Sequence, residues 1–239
     1  NDAKEGGGGA IFIRDMITEV RSTGSQFVNN SVQRGDGGAI NIARSTWFSY
    51  SDIFEQNRAH LSGGALAAEG TTLWLNGQSY FTGNTASTGG GGGLFWNSLA
   101  RNDTDISWNH FSPNIADTVL IENNVARYGL NMATQPMLLE PSNQEYTARN
   151  DGTFRTIPEM FAIDFYGQHV RGALLAEWKI SASRFSNYDV SGNTLAKLSL
   201  LDKFVFDDSF LLIGTSLPDK GPHMLRFSGT HSTNPSFTI

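Results

Sequence analysis

Short runs of alternating apolar and polar residues recur along the first half of the chain: "GAIFI" (9–13), "GAINIA" (38–43), "TTLWLNGQSYF" (71–81) and "GGLFW" (92–96). A period of two, rich in β-branched and aromatic residues, predicts strands. The 3.6-residue apolar stripe of an amphipathic helix is absent. These runs sit inside a longer period. Aligned on a Gly-Gly pair, "FVNNSVQRGDGGAI" (27–40) returns as "FEQNRAHLSGGAL" (54–66) and "FTGNTASTGGGGGL" (81–94). "NDAKEGGGGAI" (1–11) is a copy without its Phe, and "IENNVARYGLNMA" (121–133) is a worn fifth. The anchoring Asn1, Asn30, Asn57, Asn84 and Asn124 are 29, 27, 27 and 40 residues apart.

A near-constant step of this size indicates a solenoid or propeller. Helical repeats are longer and need helical apolar spacing, and the leucine-rich pattern L-x-x-L-x-L is missing. About three short strands with their turns fill 27 residues, which is one turn of a right-handed parallel β-helix of about four to five coils. In that fold equivalent residues stack roughly 4.8 Å apart. Ile11, Ile40, Leu66 and Leu94 then form one inward ladder, and Phe27, Phe54, Phe81 and Ile121 another. The five Asn form a structural ladder at a bend, where Asn tolerates left-handed backbone and its amide can bond the coils on either side. Gly-Gly marks a corner that other residues reach only at a cost.

Phe-x-x-Asn followed by Gly-Gly-Ala-[Ile/Leu/Val] resembles the signature repeat of the chlamydial polymorphic outer membrane proteins. The variant "NNVARYGLNMAT" (123–134) is similar to repeats in large surface proteins of protists and algae. The resemblance covers residues 1 to about 134. It implies a β-helical ectodomain acting in adhesion or surface assembly, without catalytic residues.

The fourth coil departs from the period. "WNSLARNDTDISWNHFSPNIAD" (96–117) inserts about 13 residues. Loops protruding from solenoids often bind partners, so Trp96, Trp108, His110 and Phe111 form a candidate binding loop. The plainer expectation is a loop folded over the end of the stack, its aromatics capping the last coil.

Composition then changes the picture. Residues 1–140 hold 19 of the 26 Gly, whereas five of the seven Pro fall after them. This predicts a β-helix over 1–140, a polar linker over 141–152 and a second domain over 153–239. The second domain shows no repeat. "DFYGQHV" (164–170) resembles the D-x-x-G-x-x-V strand-turn of Ig-like modules, and further strand runs follow at 8–12-residue spacing. An Ig-like antiparallel β-sandwich is expected, making the whole chain all-β.

A net charge of -6 argues against nucleic acid, whose phosphates need clustered Lys and Arg. No apolar run is long enough to span a membrane as a helix, so no membrane contact is expected within this segment. With no Cys, disulfides and thiolate metal sites are excluded. Asp15, Asp36, Asp52 and Asp117 do not recur at one register, so no stacked acid–base cluster is predicted. Asp103 with Asp105, and Asp207 with Asp208, are the short acidic pairs that could hold Ca²⁺; solvated surface is the plainer reading. No catalytic residue, cofactor or metal site is assigned. Sequons place candidate glycans on Asn29 and Asn102.

The expectation is therefore a non-catalytic segment of a large extracellular or cell-surface protein, with a stiff β-helical part and an Ig-like spacer or docking module in a filament or coat. Its expected partners are other copies of itself, other surface or filament proteins, and glycans. Two alternatives stay open: a carbohydrate- or ligand-binding module using the 96–117 loop, and a β-helical polysaccharide lyase or hydrolase. Because the phrase starts in mid-coil, further coils or a neighbouring molecule are expected to cover the first one.

Overall fold

A computed structural model describes residues 1–16, 18–97, 112–141 and 159–171, together with strands 178–185, 202–205, 209–213, 224–231 and 234–238. The chain divides into two compact units, Asn1–Gln135 and Pro136–Ile239.

The first unit is a β-solenoid of about four turns. Its first coil contains β1 (Asp2–Ala3), β2 (Ile11–Arg14), β3 (Val20–Thr23) and β4 (Gln26–Val28). The second contains β5 (Ser31–Val32), β6 (Ile40–Ala43), β7 (Thr46–Tyr50) and β8 (Ile53–Glu55). The third contains β9 (Arg58–Ala59), β10 (Leu66–Glu69), β11 (Thr72–Asn76) and β12 (Tyr80–Thr82). The fourth contains β13 (Thr85–Ala86), β14 (Leu94–Asn97), β15 (Asn114–Ile115) and β16 (Leu120–Glu122), and β17 (Met132–Thr134) opens a partial fifth. All pair in parallel, in four sheets ordered β1-β5-β9-β13, β17-β14-β10-β6-β2, β15-β11-β7-β3 and β16-β12-β8-β4. The coil thus has four strands, where the sequence suggested three. The extra one is a two-residue strand just after each Asn, too short to show alternation.

The register aligns like with like. Ile11, Ile40, Leu66, Leu94 and Met132 form one row, and Phe27, Phe54, Phe81 and Ile121 another. Ring centroids are 4.8 Å apart for Phe27–Phe54 and 4.3 Å for Phe54–Phe81, with nearly parallel planes. Fully burying such side chains contributes about 1.5–3 kcal/mol each, and the stacked rings add to that. Ile40, Leu66, Leu94, Phe54 and Phe81 are fully buried.

The Gly-Gly pair solves two separate problems. Gly37, Gly63 and Gly91 have φ of 69°, 65° and 67°, in the left-handed region that only Gly enters without strain. The next residue has no room. A Cβ on Gly38 would lie 2.1 Å from the Gly64 carbonyl oxygen, and one on Gly64 would lie 2.1 Å from that of Gly92. One glycine turns the chain; the other lets adjacent coils touch.

In the second unit β18 (Leu138–Pro141), β19 (Glu159–Ile163), β21 (Asp202–Val205) and β22 (Ser209–Ile213) make one antiparallel sheet, ordered β18-β19-β22-β21. β20 (Trp178–Phe185), β23 (Met224–His231) and β24 (Asn234–Thr238) make another. The last three residues that composition placed in the first domain, 138–140, and Pro141 of the expected linker therefore pair with β19 in the second unit. In the turn after β19, Asp164 Oδ1 accepts the backbone N–H groups of Tyr166 and Gln168, both at 2.9 Å. Gly167 supplies φ of 73°, and Val170, fully buried, donates its N–H to Ala162. Each of the three motif positions has a mechanical task. Among the described residues of the whole chain there is no helix.

Candidate functional site

The most heavily bonded side chains stand at the corner before each two-residue strand. Asn1 Nδ2 donates to Asn30 Oδ1 at 3.2 Å, and Asn30, Asn57 and Asn84 each donate to the next Asn Oδ1 at 2.9 Å. The same oxygens accept the backbone N–H of Asn30, Asn57 and Asn84. The second amide hydrogen reaches the preceding coil: Asn57 to the Phe27 carbonyl, Asn84 to Phe54 and Asn124 to Phe81. An interior rung therefore uses both donors and its acceptor, which burial demands of an amide. Asn57 and Asn84 are fully buried.

Left-handed backbone falls one residue earlier than the sequence suggested. Asn29, Gln56, Gly83 and Asn123, with φ from 54° to 64°, precede the rungs Asn30, Asn57, Asn84 and Asn124. The rung itself must align its side chain with its neighbours, so the chain reversal is taken by the residue before it.

A second polar row occupies another corner and escaped the sequence reading. Asp52, fully buried, accepts the Ser25 N–H at 2.7 Å and the Ser49 hydroxyl at 2.6 Å, and its own N–H donates to Ser79 Oγ at 3.2 Å. Ser25, Asp52 and Ser79 are spaced by 27 residues. That spacing is the available signal, and it is hidden because the row alternates Ser and Asp, two different letters that share a short oxygen-bearing side chain.

Trp96 is not a binding-loop residue. It sits in β14 in register with Ala68 and Thr134, on the inward row of Ile42, and is 2% exposed. Small Ala68 beside it leaves space for the indole. Trp108, His110, Phe111, Asn102, Asp103 and Asp105 lie outside the described residues, as does the expectation of an aromatic cap there; Asp207 and Asp208 do too. Asn29 is exposed at its corner, its N–H donating to the Glu55 carbonyl. Asp15 forms a two-pronged ion pair with Arg44, at 2.5 and 2.8 Å, which holds the guanidinium above its ordinary pKa. Hydrogen bonds from Ser31 and Gln33 hold the Asp2 carboxyl below the usual range. Among the described residues no three His, Cys, Asp or Glu gather as metal ligands.

The outer faces of two adjacent sheets carry exposed aromatics instead. Arg21, Phe48, Trp74 and Asn114 are in register on one. Phe48 and Trp74 stack at 5.9 Å, and the Arg21 guanidinium lies 4.5 Å over the Phe48 ring. Gln26, Ile53, Tyr80 and Leu120 are in register on the other. Trp74, Tyr50 and Tyr80 are 37%, 56% and 40% exposed. Phe48 is thus covered by the Arg21 guanidinium and by Trp74, whereas Trp74, among the described residues, is stacked only on Phe48.

Comparison with protein-family models, with characterised proteins and with solved structures finds no match.

Proposed function

We propose that this chain is a non-catalytic structural segment of an extracellular or cell-surface protein, its solenoid a stiff stack and its second unit an Ig-like spacer or docking module. The observation that supports it is the line of amide hydrogen bonds from Asn1 to Asn124, which commits the most heavily bonded side chains of the solenoid to holding coils together. The resemblance of the repeat to surface-protein repeats, with right-handed winding, agrees. The first coil suits pairing with another coil. β1, β2, β3 and β4 are all edge strands, and inward-facing Ile11 and Ile13 are half-buried where Ile40 and Ile42 are sealed. Further coils of the same protein, other copies or other surface proteins would pair there.

Hydrogen exchange and polysaccharide assays test the two halves of this reading. Residues 9–14 of the monomeric chain should exchange much faster than 38–43 and gain protection when copies associate. Equal protection in a strict monomer argues against edge docking. A panel of plant and microbial polysaccharides should remain uncut; turnover abolished by Asp36→Asn or Asp52→Asn would replace the structural reading with an enzymatic one.

A second reading is a glycan-binding module, moved from the 96–117 loop to the outer face where Trp74, Tyr50 and Tyr80 are interspersed with Asn76, Asn114, Thr46 and Thr72. Apolar rings beside amides and hydroxyls suit neutral sugars. Titration with neutral oligosaccharides should then bind the native chain and not Trp74→Ala; equal binding by both chains counts against this face.

A further inference from the structure

The Asn ladder has a direction, and one residue ends it. Every rung from Asn30 to Asn84 gives its backbone N–H and its Nδ2 to one oxygen, the Oδ1 of the Asn in the following coil. Asn124 has the same two donors, and both reach Asn131 Oδ1, at 3.3 and 3.1 Å, although its Nδ2 also donates to the Phe81 and Glu122 carbonyls at 2.9 Å. Asn131 lies seven residues later in the chain and belongs to no further coil.

The register shows which position it occupies. Leu94 pairs with Met132, Leu66 with Leu94, Ile40 with Leu66 and Ile11 with Ile40. The residue before each of these is Asn131, Gly93, Ala65, Ala39 and Ala10. The backbone role is shared, since Ala10, Ala39, Ala65 and Gly93 each donate to the carbonyl of the counterpart in the next coil. Only the last member carries a polar side chain. Within the stack there is no room for one: Ala39 and Ala65 are fully buried, and a Cβ on Gly93 would already lie 3.1 Å from Asn124 Nδ2. The position thus abuts the ladder. An amide can fit there only where no following rung competes for the same space.

We propose that Asn131 is a built-in terminator of the Asn ladder: from within the chain it fills the acceptor position that a further rung would hold and takes the Asn124 backbone N–H, so that this end of the ladder does not recruit an Asn-bearing coil from a second copy. A buried N–H without a partner is costly, and an open last rung would draw in whatever acceptor could reach it. Asn131 supplies that acceptor and completes the ladder. The inference stands on the hydrogen-bond geometry and holds whether or not the protein acts at a surface.

Native-state hydrogen exchange on the intact chain tests it. In Asn131→Ala the Asn124 N–H should exchange about tenfold faster, the equivalent of one lost hydrogen bond, while the Asn57 N–H two rungs away is unchanged. Asn131→Asp, which keeps an oxygen in place, should restore the protection. Asn131→Ser, which shortens the reach without emptying the position, serves if the Ala chain does not fold. Unchanged exchange at Asn124 in the Ala or Ser chain overturns the proposal. So does an equal rise at Asn57 and Asn124, which would make Asn131 a general stabiliser. The role in association is read by sedimentation: the Asn131→Ala chain should form larger species at concentrations where the parent and Asn131→Asp chains do not, and identical sedimentation of all three removes that role.

Discussion

The solenoid and the hairpin turn of the second unit both rely on a left-handed glycine and a short polar side chain, yet they use them differently. At the turn, Asp164 accepts two N–H groups within its own loop and Gly167 turns the chain. Everything needed lies within five residues. In the solenoid, Asn57 accepts from Asn30, 27 residues before it, and donates to Asn84, 27 residues after. Gly64 is small because of Gly92, not because of its own loop. A residue in the stack answers to copies of itself, so a local change should have consequences in neighbouring coils. A change in the turn should stay local.

The sharpest break of this contrast is Gly64→Ala. Its Cβ would meet the Gly92 oxygen at 2.1 Å and Thr85 backbone atoms at 2.6 Å, none of them the movable end of a side chain. A loss of about 4–5 kcal/mol, or failure to fold, is expected in urea unfolding. A loss below about 1 kcal/mol would show that coils can part without penalty.

Asn57→Ala should come next. It strands the Asn30 N–H and Nδ2 in a buried corner and removes donors from the Phe27 carbonyl and Asn84 Oδ1. At 1–3 kcal/mol for a stranded buried group, about 3 kcal/mol is expected. The distinguishing measurement is exchange at Asn30, one coil away, which should accelerate along with the region around Asn57. Protection retained at Asn30 would mean the rungs are independent.

Translation along the stack also explains what the sequence disclosed. Phe27, Phe54 and Phe81 could be aligned because each packs on its own kind, so selection for stacking leaves the same letter at the same step. Where the structure requires a property rather than a letter, the signal fades. Ser25, Asp52 and Ser79 share only a short oxygen-bearing side chain, and the left-handed corner accepts Asn, Gln or Gly. Trp96 reads as a loop residue for a related reason. It stands at the edge of an aromatic-rich insertion, and its row, Ile42, Ala68, Trp96 and Thr134, mixes large and small side chains instead of repeating one. Asn131 was illegible for the opposite reason: an end occurs once, so no repeat announces it.

Gly167→Ala, in the second unit, should have a smaller effect. Its φ of 73° would cost an Ala about 1–2 kcal/mol, with open space around the new methyl. The exchange change should be confined to residues around Asp164–Val170. Faster exchange at Asn57 in this chain would contradict the idea that the turn is self-contained.

The smallest expected effect is a gain. Gln56 occupies the left-handed position before a rung, with φ of 55°, and the next coil places Gly83 there with φ of 64°. For Gln that conformation costs about 1–2 kcal/mol, a cost a glycine does not bear. Its N–H donates to the Thr82 carbonyl at 3.1 Å, a bond glycine keeps. Gln56→Gly therefore removes strain and leaves the ladder intact. Against this stands the extra freedom of glycine in the unfolded chain, about 0.4–1 kcal/mol. The strain is the larger of the two, so Gln56→Gly should raise stability by about 0.5–1 kcal/mol in urea unfolding. Gly83→Gln should lower it by a similar amount. The paired measurement separates backbone from side chain: Gly83 is 3.5 Å from Gln56 Cγ by the position its Cβ would take, an ordinary contact. If Gln56→Gly instead destabilises, Gln56 is held by its stacking on the next coil, and the corner depends on neighbouring coils as much as the rung does.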